Sequence, residues 1–344
     1  VIKFSSLLRA DYNLDRRLRL REWTESVLPG PMLDLEVASA DASFRHYFRA
    51  RTRDGAFIVM DAPPEHEDCG PFVRIARLFR EAGANTPRVL AENLGEGFLL
   101  LDDLGDTTYL KALTDTTADS LYRAANGAII RIQQASRPGI LPDYDESRLV
   151  SELRLFPDWY LHRHLGITVS PAQEETLETA FRAILDNVLA QPRVYVHRDW
   201  HSRNLMVTDR DSPGVLDFQD AVYGPITYDL VSIYKDAYIA WDEAQVLDWL
   251  IRYWEDARRA GLPVRQDFAE FFRDYEWMGV QRHLKVLGIF ARLCHRDGKR
   301  GYLNDMPVVL GYLRKACERY GALHPLLNLL DALEGRQSDV AFTF

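Results

Sequence analysis

The chain has 344 residues, 47% of them hydrophobic and 27% charged, with 20 Gly and 16 Pro. That is a globular mix with enough apolar mass for a large core, which excludes a disordered or fibrous chain; at roughly 150 residues per domain it suggests about two domains or lobes. A formal net charge of −9 with no basic block argues against a sequence-independent grip on nucleic acid, which needs clustered Lys and Arg.

Cys69, Cys294 and Cys317 lack CxxC spacing and read as buried or idle thiols rather than a disulfide framework or a zinc site. The apolar run in VIKFSSLLRADYN is too short for a secretory leader before Arg9 and Asp11 intervene. No apolar run reaches the length of about 18 residues that a membrane helix needs. A soluble, cytoplasmic, monomeric protein is the expectation.

Tyr12 to Leu28 carries Leu14, Leu18, Trp23 and Val27 among charges and reads as an amphipathic helix, stopped by Pro29-Gly30-Pro31. From Leu33 to Asp61, LDLEVAS, SFRHYFRART and AFIVMDA are short aromatic or β-branched runs separated by Ala40-Asp41-Ala42 and Asp54-Gly55, the pattern of a three-strand meander. Pro71 to Gly83 has helical spacing with Pro at the start and Gly at the stop. Arg88–Ala91 and Gly97–Leu101 are two further strands, the second ending in the breaker Asp102-Asp103-Leu104-Gly105.

Beyond Gly105 the periodicity is mostly helical, near 117–136, 146–164, 171–190, 226–239, 243–260, 267–296 and 306–320, with one β-like interruption from Val194 to Asp217. The expected fold class is α+β and bilobal: residues 1–103 form an antiparallel five-stranded lobe with one inserted helix behind a leading helix, and 104–344 a mainly helical lobe.

The chemistry concentrates in Val196-His197-Arg198-Asp199-Trp200-His201-Ser202-Arg203-Asn204-Leu205-Met206-Val207, followed by Gly214-Val215-Leu216-Asp217-Phe218-Gln219-Asp220. The polar pattern is H-R-D-x-x-x-x-N with a further Asp at the end of an apolar run. Phosphoryl transfer uses this set: one carboxylate beside the attacking hydroxyl, and an amide oxygen with a second carboxylate for the magnesium that bridges nucleotide phosphates. Each element alone is weak; the joint spacing is strong.

These segments, with the later Tyr228-Asp229-Leu230, resemble the aminoglycoside phosphotransferase superfamily, small-molecule relatives of protein kinases. SFRHYFR, IVMDAPPEHEDC, FVRIARLFREAG, GFLLLDDLGD, VHRDWHSRNLM and VQRHLKVLGIFARL are similar, from about Asp34 to Leu313, to the bacterial anomeric amino-sugar kinases, which phosphorylate N-acetylmuramate and N-acetylglucosamine at C1 in peptidoglycan recycling. The resemblance implies a protein-kinase-like fold, ATP and Mg²⁺ as cofactors and a small amino sugar as partner. It makes Asp199 the catalytic base, Asn204 and Asp217 the metal ligands, and His197 and Asp229 supports of the catalytic loop. Asp102 and Leu104 would offer backbone groups to adenine, and the loop 40–44, with Ala42, Ser43 and the adjacent Arg45, would cover the phosphates.

Two departures stand out. Met60 occupies the third-strand position where protein kinases carry a phosphate-binding Lys, and Ser39–Ser43 contains no glycine. Arg45, Arg49 or Arg203 could supply the missing charge; Arg49 reads foremost as a solvated surface arginine, and Arg45 equally well as surface or site. Candidate sugar contacts are Arg203, Trp159, Tyr160, Asp220, Tyr223 and Arg282; Trp159 and Tyr160 read first as core packing, and Trp200 as packing under the loop.

The acidic cluster Asp267, Glu270, Asp274 and Glu276 reads as a solvated helix face, yet would also suit a polycationic aminoglycoside. An aminoglycoside or other small-molecule kinase is therefore the rival activity. A nucleotide-binding pseudokinase scaffold, suggested by Met60, is the rival of another class, and retention of Asp199, Asn204 and Asp217 speaks against it. A protein kinase is disfavoured, because Asp217 to Tyr228 leaves no room for an activation segment.

Overall fold

The structure, a computed structural model, describes residues 14–40 and 44–333. Within these, two compact units form: one runs to residue 106 and takes in 206–219, and the other comprises 107–205 and the chain from 220 onward.

The first unit contains α1 (Leu14–Val27), β1 (Asp34–Ala40), β2 (His46–Arg51), β3 (Ala56–Asp61), α2 (Gly70–Glu81), β4 (Val89–Asn93) and β5 (Phe98–Asp102). The strands make one antiparallel sheet in the order β1-β2-β3-β5-β4. Strand alternation sends Phe48, Ala50, Val59, Phe98 and Leu100 to one face, where they bury Leu20 with Trp23 and Val27 of α1 against them. The buried stripe of α1 differs in phase from the one expected. Leu14 and Leu18 are 70% and 51% exposed, whereas Leu20 and Thr24 are buried.

The cause of that shift is polar. Arg16 lies on the inward stripe because its Nε donates to the fully buried Asp61 carboxylate at 3.0 Å and its Nη2 to the Glu96 carbonyl at 2.7 Å. Gly97 permits the turn between β4 and β5. Its φ is +74°, and a methyl there would lie 1.9 Å from the Ala62 carbonyl oxygen, whose own N–H donates to Gly97 O at 2.9 Å.

The second unit contains α3 (Tyr109–Ala112), α4 (Ala118–Gln134), α5 (Glu146–Leu153), a π-helical segment (Phe156–His164), α6 (Pro171–Leu189) and β6 (Arg193–Val196). The chain then passes through a short hairpin, β7 (Leu205–Met206) and β8 (Gly214–Val215), into and out of the first unit. It continues with β9 (Val222–Pro225), antiparallel to β6, and with α7 (Tyr228–Tyr234), α8 (Glu243–Arg259), α9 (Phe268–His295), α10 (Met306–Arg319) and α11 (His324–Leu333).

The single helix expected over 146–164 is broken after Leu153. Pro157 removes an N–H and its ring clashes with the carbonyl of residue 153, so the ladder widens into the π form. α9 is buried almost without interruption from Phe271 to Ala291, as suits a central helix. Gly288 allows the chain at Leu155 to cross it closely: a methyl would lie 2.4 Å from the Leu155 carbonyl carbon. No helix among the described residues is long and apolar enough to cross a membrane.

Candidate active site

In the second unit, β-branched and aromatic Val194-Tyr195-Val196 make β6, and the loop 197–204 leaves it with backbone N–H groups that no strand pairs. Carboxylates at the two ends of α7 satisfy them. Asp229 accepts from His197 N at 2.7 Å and Arg198 N at 3.0 Å, while Asp236 accepts from Ser202 N at 2.9 Å and Tyr238 N at 3.1 Å. The clamp holds Arg198 at φ +78°, a left-handed conformation unfavourable for a side chain with a Cβ.

Inside the loop, the Asp199 N–H donates to His197 Nδ1 at 3.2 Å, and the Asn204 side-chain amide donates to the Asp199 carbonyl at 3.0 Å. The Asn204 amide nitrogen thus faces the loop, which turns its oxygen the other way. Trp200 is fully buried against His197, ring centroids 5.4 Å apart, and is a packing residue.

The charge around Asp199 comes from its own loop and from distant α9. Burial pushes its carboxyl upward, but Lys285, His201, Arg282 and Arg198 together hold it below the ordinary carboxylate range. Two of these cations share one buried carboxylate: Glu152 accepts from Arg198 Nη2 at 2.5 Å and Lys285 Nζ at 3.0 Å, with the Tyr144 hydroxyl and Gln281 Nε2 completing its shell. Lys285 Nζ also donates to the Tyr228 hydroxyl at 2.9 Å. Two positive groups against one negative leave a net positive field, and Arg282, itself buried, adds to it. Burial pushes the Asp229 carboxyl up to about 7, with its two backbone donors and Arg282 opposing. Burial also lowers the His201 imidazole, with Asp236 and Asp199 opposing.

Lys285, Glu152 and Asp236 escaped the sequence reading. A signal existed for the first: Gln281, Arg282 and Lys285 recur at three- and four-residue spacing within an otherwise apolar helix, the mark of a buried polar stripe.

The first unit carries the remaining candidates. Asp217 follows β8 in a left-handed conformation, φ +61°, and accepts from Gln219 Nε2 at 2.9 Å. Its neighbour Phe218 is fully buried against Phe72 and Phe79 of α2, at 4.8 and 6.3 Å between centroids. The Asp102 carboxylate accepts from Arg88 N at 2.6 Å and Nε at 2.8 Å, which fixes the end of β5. Leu104 lies against Gly214, in this same unit. Arg49 is not a solvated surface arginine: its Nε and Nη2 grip Asp103 at 2.6 and 3.0 Å. Arg45 pairs with Glu67 at 3.2 Å, and Met60 is fully buried opposite Tyr47 and Leu99. Ala42 and Ser43 lie outside the described residues.

Among the sugar candidates, Arg282 acts electrostatically on Asp199. Arg203 is exposed and stacks on the Tyr238 ring at 3.5 Å. Asp220 has an exposed side chain and offers its carbonyl to Arg198 Nη1 at 3.5 Å. Tyr223 packs on Tyr195 beneath Arg193, and Trp159 is half-buried on the π-helical segment, where Tyr160 stacks on Phe156. The acidic cluster is mostly consumed: Asp267 caps α9, Asp274 pairs with Arg265, and Glu276 pairs with Lys235 and Arg319.

Asp199 is thus a buried carboxyl held below the ordinary carboxylate range on a loop that Asp229 and Asp236 fix. Asn204 in the second unit and Asp217 in the first each offer an oxygen, the donor type that hard Mg²⁺ takes alongside phosphate and water. A family model described as the phosphotransferase enzyme family matches residues 34–264. The N-acetylmuramate/N-acetylglucosamine kinase of Neisseria meningitidis is 48% identical over 96% of this chain and 100% of its own length, and that of Pseudomonas aeruginosa 48% over 92% and 96%. In fold, the chain is similar to choline kinase LicA from Streptococcus pneumoniae (TM-score 0.60, 12% identity, 88% of this chain and 99% of that one). A spectinomycin phosphotransferase solved with ADP and spectinomycin is similar to the same degree (TM-score 0.60, 12% identity, 92% and 98%).

Proposed function

This chain belongs to the phosphotransferase enzyme family, and from that premise we propose that it transfers the γ-phosphoryl group of ATP to the C1 hydroxyl of N-acetylmuramate and N-acetylglucosamine. The observation that supports the reading is the setting of Asp199: a buried carboxyl that Lys285, His201, Arg282 and Arg198 hold below the ordinary range against burial, on a loop held by Asp229 and Asp236.

In this reading the sugar's C1 oxygen attacks the γ-phosphorus, a new O–P bond forms, the bond to the β,γ-bridging oxygen breaks, and ADP leaves. The hydroxyl proton passes to Asp199. An anomeric hydroxyl is more acidic than an ordinary alcohol, so Asp199 chiefly orients it and takes the proton late. The Asn204 oxygen and the Asp217 carboxylate would hold Mg²⁺, which when bound neutralises charge on the phosphates. His197 and Asp229 keep the loop in shape. Backbone groups of Asp102 and Leu104 would take adenine, and the loop bearing Ala42 and Ser43 would cover the phosphates. Residues 1–103 would thus serve as the nucleotide lobe and 104–344 as the catalytic and sugar lobe. Arg282 is the favoured sugar contact by its field at Asp199, with Arg203, Trp159, Asp220 and Tyr223 as further candidates.

An ATP-dependent step on sugars released from peptidoglycan suits a cytoplasmic enzyme of cell-wall recycling, and a monomer is the proposed working form. The aminoglycoside alternative loses ground because the acidic residues it would need are largely engaged in capping and ion pairs. The test is a phosphate-transfer screen with ATP-Mg²⁺ against N-acetylated amino sugars and aminoglycosides, with the phosphate located by NMR. An acid-labile sugar 1-phosphate is expected; an acid-stable phosphate on another hydroxyl, or no transfer, overturns the reading.

A further inference from the structure

We propose that Arg282 receives the lactyl carboxylate of N-acetylmuramate and so sets a preference for that acid over neutral N-acetylglucosamine. The proposal deepens the amino-sugar kinase reading and rests on it. Its residues all belong to the second unit.

Burying a cation is costly unless an anion answers it. Lys235, Arg282 and Lys285 are the buried lysines and arginines among the described residues. Lys235 pairs with Glu276, and Lys285 with Glu152 at 3.0 Å. Arg282 is only 5% exposed and, among the described residues, makes neither a hydrogen bond nor an ion pair. Its Nε is sealed from solvent without an acceptor. Its guanidinium carbon stands 5.9 Å from the centre of the Tyr228 ring, at the outer reach of a cation–π contact.

The carboxylates around this part of α9 are spent elsewhere. Glu152 serves Arg198, Lys285, the Tyr144 hydroxyl and Gln281, the residue beside Arg282. Asp229 accepts from two backbone N–H groups of the catalytic loop, and Asp236 from Ser202 N and Tyr238 N. Asp199 feels the charge of Arg282 without forming an ion pair with it. The guanidinium is therefore held for an anion that the protein itself does not provide.

Its place selects the anion. Arg282 acts on Asp199, His201 and Asp229, which sets its charge beside the group proposed to orient the C1 hydroxyl. Tyr238 belongs to the same surroundings: burial raises its hydroxyl, and Arg203 and then Arg282 oppose that rise. The Tyr238 ring meets His201 edge-on at 5.4 Å and Phe290 at 6.4 Å between centroids, which gives an aromatic surface near the cation. N-acetylmuramate differs from N-acetylglucosamine by a lactic acid ether on O3, two ring carbons from C1. With C1 at Asp199, that ether carries a methyl suited to the aromatic surface and a carboxylate suited to the guanidinium. The planar fork of Arg takes both oxygens of a carboxylate at once, whereas N-acetylglucosamine leaves it unanswered. A buried group left unpaired by one ligand and paired by another is a strong source of discrimination.

The experiment measures kcat/KM at saturating ATP-Mg²⁺ for N-acetylmuramate, its lactyl carboxamide and N-acetylglucosamine, together with the KM of ATP, in wild type, Arg282→Gln and Arg282→Lys. Wild type should favour the acid over its carboxamide about 10–100-fold, the range of a charge-assisted bond. Arg282→Gln should erase that ratio, and Arg282→Lys should keep part of it, because an ammonium retains the charge without the fork. A loss common to all three sugars reports the field at Asp199 and cancels in the ratio. A wild type indifferent to acid and carboxamide, a ratio that Arg282→Gln leaves intact, or a loss confined to the KM of ATP overturns the proposal. If Arg282→Gln does not fold by circular dichroism, Arg282→Lys carries the same test, and an unchanged ratio there overturns it. A wild type that phosphorylates N-acetylglucosamine without preferring the acid overturns this proposal alone, whereas one that phosphorylates neither sugar overturns the functional reading as well.

Discussion

Asp199 must stay charged in a place where burial favours the neutral acid, and four basic neighbours decide the contest. Replacing it with Asn keeps the shape and, under the proposed function, removes the proton acceptor. Turnover should fall by about 10²–10⁴-fold, with ATP affinity by calorimetry largely intact. The depressed pKa has a sign that can be read from pH. Folding favours the ionised form, so its stabilisation is complete above the unfolded value of about 3.9 and is lost as pH falls below it. Activity should therefore hold its plateau through weakly acidic pH. Lys285→Met removes the first-named cation and should move the acid limb of kcat/KM to higher pH; an unmoved limb would assign that limb to another group.

Asp229 behaves in the opposite sense. Its carboxyl is pushed up to about 7, so between about 4 and 7 the folded state holds a proton that the unfolded chain releases, and stability falls as pH rises across that window. Asp229→Asn flattens this part of the stability profile. It also sets an NH₂ against one of the N–H groups of His197 and Arg198, which should cost about 1–3 kcal/mol in urea unfolding and lower kcat more than it changes KM.

At the level of elements, α7 is a short helix with a carboxylate at each end of its run, and both grip the catalytic loop. The Tyr228-Asp229 motif advertised the first of these; Asp236, beyond the helix end, carried no spacing that marked it. α9 presents its polar stripe of Gln281, Arg282 and Lys285 to the loop while its Gly288 takes the crossing chain at Leu155. Gly288→Ala forces a methyl into backbone atoms and should destabilise the protein by at least about 1–3 kcal/mol, read as a lowered thermal midpoint with lost activity on heating. The strand meander, the inserted helix and most helical spans followed from periodicity. The phase of α1 and the break at Pro157 did not, because an inward Arg16 depends on a partner 45 residues away and a π turn depends on what packs against it.

For the molecule as a whole, a nucleotide that binds only the folded chain must stabilise it by mass action. ATP-Mg²⁺ at 100 times its dissociation constant should add about 2.7 kcal/mol, seen as a concentration-dependent rise in thermal midpoint that Asp217→Ala diminishes when Mg²⁺ is present. Two lobes, a five-stranded sheet and the loop bearing Asp199 and Asn204 were determined by the chain alone. Local periodicity and close spacing encode them, and both are written within a few dozen residues. Which cations surround Asp199, which arginine is spent on Asp103 and which is held by Glu67 were decided only by tertiary structure. Coulomb interactions and hydrogen bonds depend on distance through space, and Lys285 lies 86 residues from the carboxylate whose charge it sustains.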